Sequence, residues 1–564
     1  MHRTAHPTPS EYPEDLDAGL LKIASVCMLA AVMASLDTTV VSVAQRTFIT
    51  QFHTTQAVVA WTLTGTTLAV ATVIPLTGWA ADRFGTKRLF MGSVLAFTLG
   101  SLLCAMAPNI TLLIAFRVLQ GLGGGMLMPL NIIILTRAAG PKRLGRLMAV
   151  LGIALLMGPM GGPILSGWLI GSFGWQWIFL INIPIGALAI TLAAVVFTKD
   201  QTHPSQTFDV IGMLLLSPGL ALFLYGASSL PAHGTITHRA VWIPASVGLL
   251  LIIGFVLHAL FGTDHPLLDL RLFKYRTVAL ANTAMVLHAI AFLGAVLLFP
   301  SYLQQLLHQT PLQSGAHLIP RALGAILTMP IAGRIMDKRG PGWVVLAGIT
   351  LIAIGMATFA YGVSHQYPYT PVLFTGLAVM GMGAGSTLMP LFGCAVRGLA
   401  PHQVARGSTL INVNLQIGGS IGTALMSVIL TSQFNHSPFI QAAGKAAALK
   451  QEATKHGPPP HPSQALAPGF MDHVTSDLSH AYTVVFVVAL GFALMALIPA
   501  AFLPKKHAAE IVAGEVEGEV TQGFSGGGVD DSDVEVLDQD QDAGSTVDAA
   551  DADVVQASVD ARGD

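Results

Sequence analysis

Charge is scarce in this chain: 10% of its 564 residues are Asp, Glu, Lys or Arg, against 53% hydrophobic residues and a mean hydropathy of +0.65. A water-soluble globular domain carries about 25% charged residues, so that class is excluded at this length. Cysteine is scarcer still. Cys27, Cys104 and Cys394 all lie in apolar runs, and neither a disulfide framework nor a zinc spacing is present. There is no Gly-x-x-x-x-Gly-Lys-Ser/Thr phosphate loop, no soluble nucleotide-binding domain and no long basic face, which argues against an enzyme, a cofactor or nucleic acid as partner. Energy for any work must come from an ion gradient or from the substrate itself.

What is abundant is apolar sequence in long runs. Windows of about 20 residues give roughly fourteen candidate membrane spans. They lie near 21–45, 56–80, 86–107, 110–136, 144–170, 175–197, 209–231, 240–262, 277–306, 313–336, 342–363, 370–397, 403–433 and 481–503. The reading is an all-α polytopic protein embedded in the lipid bilayer. The first twenty residues hold Glu11, Glu14, Asp15 and Asp17 and no apolar core, so the first span is expected to act as its own insertion signal.

Lys and Arg mark one side. Alternate loops carry Arg83, Lys87 and Arg88; Arg137, Lys142, Arg143 and Arg146; Lys199; Arg271, Lys274 and Arg276; Arg334, Lys338 and Arg339; Arg397 and Arg406; and Lys505 and Lys506. The intervening short loops hold little beyond Arg46 and Arg239. The positive-inside rule makes the first set cytoplasmic, with both termini in the cytoplasm of a cell-membrane protein, and an even number of spans follows.

Two segments repeat. Gly78-Trp-Ala-Ala-Asp82-Arg83-Phe-Gly85, followed by Lys87 and Arg88, reads like Gly333-Arg-Ile-Met-Asp337-Lys338-Arg-Gly340. In each, Gly-x-x-x-Asp-basic-x-Gly joins two apolar runs, the glycines permitting close helix approach and a tight turn. From 508 onward the tail holds more than half of the 30 acids and a single base, Arg562, a composition expected to stay disordered. The stretch 436–480 is the other long loop, with an Ala/Lys-rich part (441–455) suited to a surface helix and a Pro-rich part (458–468) that is not.

Asp37 is the one acid well inside an apolar span, and Arg117 and Arg321 are comparably buried bases. Counting about 1.5 Å per residue puts all three near one depth, roughly 10–12 Å below the outer surface, where they could face one cavity. A lone titratable carboxylate there is the natural place to couple proton movement to transport, the alternative being a static ion pair. His317, four residues before Arg321, and His288 could relay protons or simply fill helix interfaces. The fourth span runs Arg117-Val-Leu-Gln120-Gly121-Leu-Gly-Gly-Gly125, with Gln120 as a hydrogen-bonding residue on a glycine-rich helix. The fifth contains Gly158-Pro159-Met160-Gly161-Gly162-Pro163 and then Ser166-Gly167, a kinked and pliable segment. In the thirteenth, Asn412 and Gln416 share a face that could line a polar cavity or equally bond a neighbouring helix, with Asn414 beside them.

These residues together resemble the major facilitator superfamily, and within it the fourteen-span drug:proton antiporter branch. Gly78 to Arg88 resembles the superfamily's signature loop. Leu36-Asp37-Thr-Thr39-Val-Val, Arg117 to Gly121, Gly158-Pro159 through Gly167-Trp168-Leu169, and Trp175 through Asn182-Ile-Pro184-Ile-Gly186 resemble the branch's span-one, span-four, antiporter and span-six motifs. Ser42, Gln45-Arg46, Thr66 and Ser166 stand where the branch pattern has Asn, Leu-Pro, Tyr and Gly. The resemblance covers about residues 20–505. It implies a six-helix bundle over 21–200, a linker with two spans over 201–270 and a second six-helix bundle over 271–505, between a cytoplasmic N-terminus (1–20) and an acidic tail (506–564). It also implies alternating access and proton-driven export of amphipathic, often cationic small molecules. Asp37 and Arg117 would belong to the coupling machinery, and the Asp82/Arg83 loop to the conformational switch. A dedicated exporter of one endogenous metabolite or lipid, or a transport-inactive receptor or scaffold, would use the same sequence features differently.

Overall fold

The computed structural model describes residues 17–139, 143–198, 208–233, 237–263, 266–296, 298–309, 311–397, 399, 403–444 and 469–504. They belong to one compact unit, Met1–Ala508. The acidic tail, most of the N-terminal segment, the central part of the 436–480 loop, and Lys142, Lys199, Lys505 and Lys506 lie outside the described residues.

The first half of the chain forms α1 (Ala18–Val43), α2 (Gln45–Gln51), α3 (Gln56–Val73), α4 (Leu76–Phe84), α5 (Thr86–Ala105), α6 (Ile110–Gly124), α7 (Leu127–Ala139), α8 (Leu144–Phe173), α9 (Trp177–Leu180) and α10 (Asn182–Val196). After it come α11 (Val210–His233) and α12 (Arg239–Leu257). The second half forms α13 (Arg276–Val296), α14 (Leu298–Gln305), α15 (Pro311–His317), α16 (Ile319–Arg339), α17 (Pro341–Ser364), α18 (Phe374–Gly385), α19 (Leu388–Val396), α20 (Val404–His436) and α21 (Phe470–Ala501). No strand occurs among the described residues. Side-chain caps start several helices: Asp17 accepts the Leu20 N–H at 2.9 Å and Asn109 accepts the Leu112 N–H at 2.9 Å.

Among the described residues twelve helices, some continuous across short breaks, are long and apolar enough to cross a membrane. The pair α3–α4, bent by 56° around Pro75, makes a thirteenth. The apolar stretches Leu144–Gly158 and Ile164–Phe173, each shorter, lie in the single 30-residue helix α8, and the count is approximately consistent with the expected fourteen.

The two halves repeat each other in packing as well as in sequence. In the first, α1 packs on α8, α3 on α6, and α5 on α6 and α10; in the second, α13 packs on α20, α16 on α18, and α17 on α18 and α21. Contacts between halves follow the same symmetry, α8 lying on α16 and α19 while α20 lies on α4 and α7. The extra pair is seated by α11, which packs on α12 and also on both α3 and α20. Trp61 stacks on Tyr225 at 5.5 Å, and the Ser217 hydroxyl donates to the Thr72 carbonyl at 2.7 Å.

Among the described residues the largest apolar core shared by the two halves lies at the end carrying Arg137, Arg146, Arg397 and Arg406. There a single apolar core runs through both halves, combining Leu130, Leu144 and Met148 with Met336, Phe392 and Val404. At the other end each half keeps its own core. One is built on Phe48, Trp175 and Phe179 and the other on Phe299, Tyr302, Phe359, Tyr482 and Phe486.

Candidate functional site

Arg117 and Gln120 are three apart on α6 and so share a face. Both are fully buried and turned toward α1, where Asp37 is 3% exposed. Arg117 Nη1 lies 2.6 Å from Asp37 Oδ2 and donates to Gln120 Oε1 at 2.6 Å. Asp37 Oδ1 accepts Gln120 Nε2 at 2.9 Å and Asn182 Nδ2 of α10 at 3.3 Å. The guanidinium also donates Nε to the Thr62 carbonyl of α3 at 3.2 Å and lies 5.8 Å from the Phe179 ring. Asn182 is tied in turn to Ser101 at 2.9 Å. Glycines make room for this cluster: a Cβ on Gly121 would come within 2.8 Å of the Thr66 carbonyl oxygen, and one on Gly100 within 2.7 Å of Gln120 Cα.

Both carboxylate oxygens are thus occupied, and five helices meet on one ion pair out of contact with water. Breaking such a pair by removing one partner costs about 3–5 kcal/mol, since a buried charge is left uncompensated. Gln120, expected on a cavity wall, is part of this network instead, because it lies on the Arg117 face of α6. Asn182 is a functional candidate whose role was missed; the signal was an amide inside an otherwise apolar run.

The Gly-Pro segment of α8 lies against α1 on either side of Asp37. Proline at 159 has no N–H, so the Leu155 carbonyl four residues earlier loses its helical donor. The Ser35 hydroxyl of α1 replaces it, donating to Leu155 O at 2.7 Å. Thr39 donates to the Gly158 carbonyl at 3.1 Å, and Ser166 returns a bond to the Val40 carbonyl at 3.2 Å. A Cβ on Gly158 would collide with Ser35, and one on Gly162 with Thr39, whereas Gly167 has open space around it. Three of the departures from the branch pattern make bonds between elements of this region: Ser166 to Val40, Gln45 to the Thr62 hydroxyl at 3.0 Å, and Thr66 to the Arg117 carbonyl at 3.3 Å.

The two repeated loops end in the same turn. Gly85 has φ +88° and Gly340 φ +85°, a region open to glycine without strain. Asp82 pairs with Arg137 at 3.2 Å, and Asp337 approaches Arg397 at 3.8 Å, the equivalent partner. Across the halves, a Cβ on Gly78 would come within 3.1 Å of Thr409 Oγ1, and one on Gly333 within 2.7 Å of the Gly145 carbonyl oxygen. Asp337 reaches further. Its Oδ1 accepts the Gly145 N–H at 2.7 Å, and its Oδ2 accepts the Arg146 N–H at 3.2 Å and Nε at 3.0 Å. A carboxylate at the N-terminus of α8 complements the helix dipole. Lys87 binds the end of α10 through the Ala194 and Phe197 carbonyls at 2.6 and 2.7 Å, while Arg83 and Arg88 also have partners.

Arg321 does not join the Asp37 network. Its guanidinium lies 4.7 Å from the Phe292 ring and 5.5 Å from the Phe299 ring, with no hydrogen-bond or ion-pair partner among the described residues. Depth along a span was legible, but the direction each side chain faces was not. His317, expected on the Arg321 face, lies in α15 across the break at Leu318. There it stacks on Tyr369 at 3.9 Å and bonds Gln309 at 2.7 Å. His288 is buried and stacks on Phe292 at 5.3 Å. Asn412 is buried and donates to Ser408 O of its own helix at 2.8 Å; Asn414 binds Asn282 at 2.7 Å; Gln416 is half-buried with no hydrogen-bond partner among the described residues.

Residues 27–423 match the Major Facilitator Superfamily. The chain is 62% identical over 498 residues to a multidrug resistance protein B homolog of Mycobacterium tuberculosis (strain ATCC 25618 / H37Rv), covering 88% of this chain and 92% of that protein. It is 30% identical over 416 residues to the multidrug export protein EmrB of Haemophilus influenzae, covering 74% and 81%. The solved proton:xylose symporter XylE bound to 6-bromo-6-deoxy-D-glucose shares the fold, with TM-score 0.53, 13% identity, and coverage of 88% of this chain and 98% of that one.

Proposed function

The chain belongs to the major facilitator superfamily, a family of membrane transporters rather than enzymes, and from that premise we propose that it is a proton-coupled exporter of drugs or other amphipathic small molecules. The observation that carries this reading is the Asp37–Arg117 pair at 2.6 Å, a carboxylate and a guanidinium buried together inside the first half. The names of its relatives, which include a multidrug resistance protein B homolog and a multidrug export protein, support export of drugs.

The basic end is cytoplasmic by the positive-inside rule, so the opposite end, where each half keeps its own core, faces outward. The chain then sits in the cell membrane with both termini inside, its bundles spanning 21–200 and 271–505 and the linker pair 201–270. In an outward-open form, substrate leaves toward the outside and a proton reaches Asp37 from the same side. Neutral Asp37 releases Arg117, α1 and α8 move together through Ser35 and Thr39, and the Gly78–Arg88 and Gly333–Gly340 loops let go of α20 and α8. The inward-open form then takes substrate from the cytoplasm or inner leaflet and gives up the proton. One proton crossing about 100 mV supplies about 2.3 kcal/mol before any pH gradient is counted. The test is efflux of a fluorescent substrate from energised membrane vesicles. Accumulation against a gradient that collapses on adding a protonophore supports the reading, and accumulation indifferent to the protonophore contradicts it.

A further inference from the structure

The second half contains a cation that the cycle above does not use. Arg321 lies in the first turn of α16, and its backbone is locked by α18, because a Cβ on Gly381 would collide with the Arg321 carbonyl. Its side chain is half-buried and flanked by Phe292 of α13 at 4.7 Å and Phe299 of α14 at 5.5 Å. His288 continues the column by stacking on Phe292, with an interplanar angle of 15°. A cation–π contact is electrostatic and supplies no hydrogen-bond acceptor of oxygen type, so the guanidinium N–H donors remain to be satisfied by something else. Among the described residues nothing accepts from them. A planar fork on a fixed backbone, lined with apolar rings, has the form of a receptor for a carboxylate, sulfonate or phosphate carried on an apolar body.

We propose that Arg321, with Phe292 and Phe299, forms an anion-binding subsite that receives the negative group of an amphipathic organic anion. The proposal rests on the exporter reading for its physiological sense but not for its test. The acidic group seats on the guanidinium edge and the apolar part lies along the rings. Compounds of the same shape carrying a positive charge are disfavoured there. An anionic lipid headgroup presents the same chemistry as a free organic anion, and the experiment distinguishes the two.

Full-length protein in phosphatidylcholine nanodiscs is titrated with pyrenebutyrate and, separately, with a pyrenebutyl-trimethylammonium salt, protein-free nanodiscs giving the background. Loss of hydrogen bonds to a charged group predicts that Arg321→Gln weakens the anion by about tenfold or more and does not weaken the cation. Arg321→Lys, which keeps the charge and guards against a folding defect, retains part of the preference. Phosphatidylglycerol added to the wild type identifies the occupant. If anion binding is unchanged the ligand is a free organic anion, and if it is displaced in the wild type alone the same subsite holds a lipid headgroup. Equal affinity of wild type, Arg321→Lys and Arg321→Gln for pyrenebutyrate overturns the proposal. An Asp37→Asn protein that fails to export yet binds the anion normally leaves the subsite standing, so failure of the transport cycle is read separately.

Discussion

Asp337 accepts the backbone N–H of Gly145 at 2.7 Å, so a residue of the second half caps the first turn of a helix of the first. With Arg146 also bound, this carboxylate is the most direct polar latch described between the halves at the basic end. Asp337→Asn should release the latch and populate the form open at the basic end. Charge-assisted hydrogen bonds of about 1.5–3 kcal/mol correspond to a shift of roughly ten- to a hundredfold in the ratio of the two forms. Accessibility of single cysteines placed at either end, read by a membrane-impermeant thiol reagent in a background lacking the native cysteines, measures it. An unchanged accessibility pattern would count against the latch.

The hydroxyl of Ser35 and the proline at 159 form a compensating pair. Ser35→Ala should destabilise the protein by about 1 kcal/mol, since the Leu155 carbonyl is left without a donor in a partly buried interface. Adding Pro159→Ala restores a backbone N–H at that position. The double variant should therefore be more stable than Ser35→Ala alone, in a double-mutant cycle of thermal unfolding in detergent. Additive losses would mean that the Ser35 bond does something other than replace the missing one.

The glycines of the same motif should not be equivalent. Gly158→Ala and Gly162→Ala place a methyl against Ser35 and Thr39 and should cost about 1–3 kcal/mol or impair insertion. Gly167→Ala meets nothing within 4 Å and should leave stability and efflux unchanged. Expression level, thermal unfolding and vesicle efflux of the three variants test this ranking. Equal sensitivity at all three positions would show that motif membership rather than close approach decides the outcome.

What was legible in the sequence was what repeats or carries charge in an apolar background. The Gly78–Gly85 and Gly333–Gly340 segments announced a duplicated turn, and both end on a glycine of nearly identical φ. Asp37 and Arg117 stood out because ionised groups are costly in lipid, and they proved to be partners. Position along a span gave their depth. It did not give the direction each side chain takes, which depends on how helices rotate and bend as they pack. Arg321 therefore matched Asp37 in expected depth yet belongs to a separate cluster. The break at Leu318 likewise put His317 and Arg321 on different helices. Ser35 gave no signal of its own, since its role exists only because a proline on another span orphans a carbonyl.

The most direct test of the central claim is substrate-driven proton movement through purified protein in liposomes loaded with a pH-sensitive dye. Imposing a gradient of an exported compound should drive protons in the opposite direction through the wild type. Asp37→Asn should abolish that proton flux while still allowing substrate to equilibrate down its own gradient, since the side chain keeps its size and loses only its titration. A properly inserted Asp37→Asn protein that still exchanges protons for substrate would contradict the account.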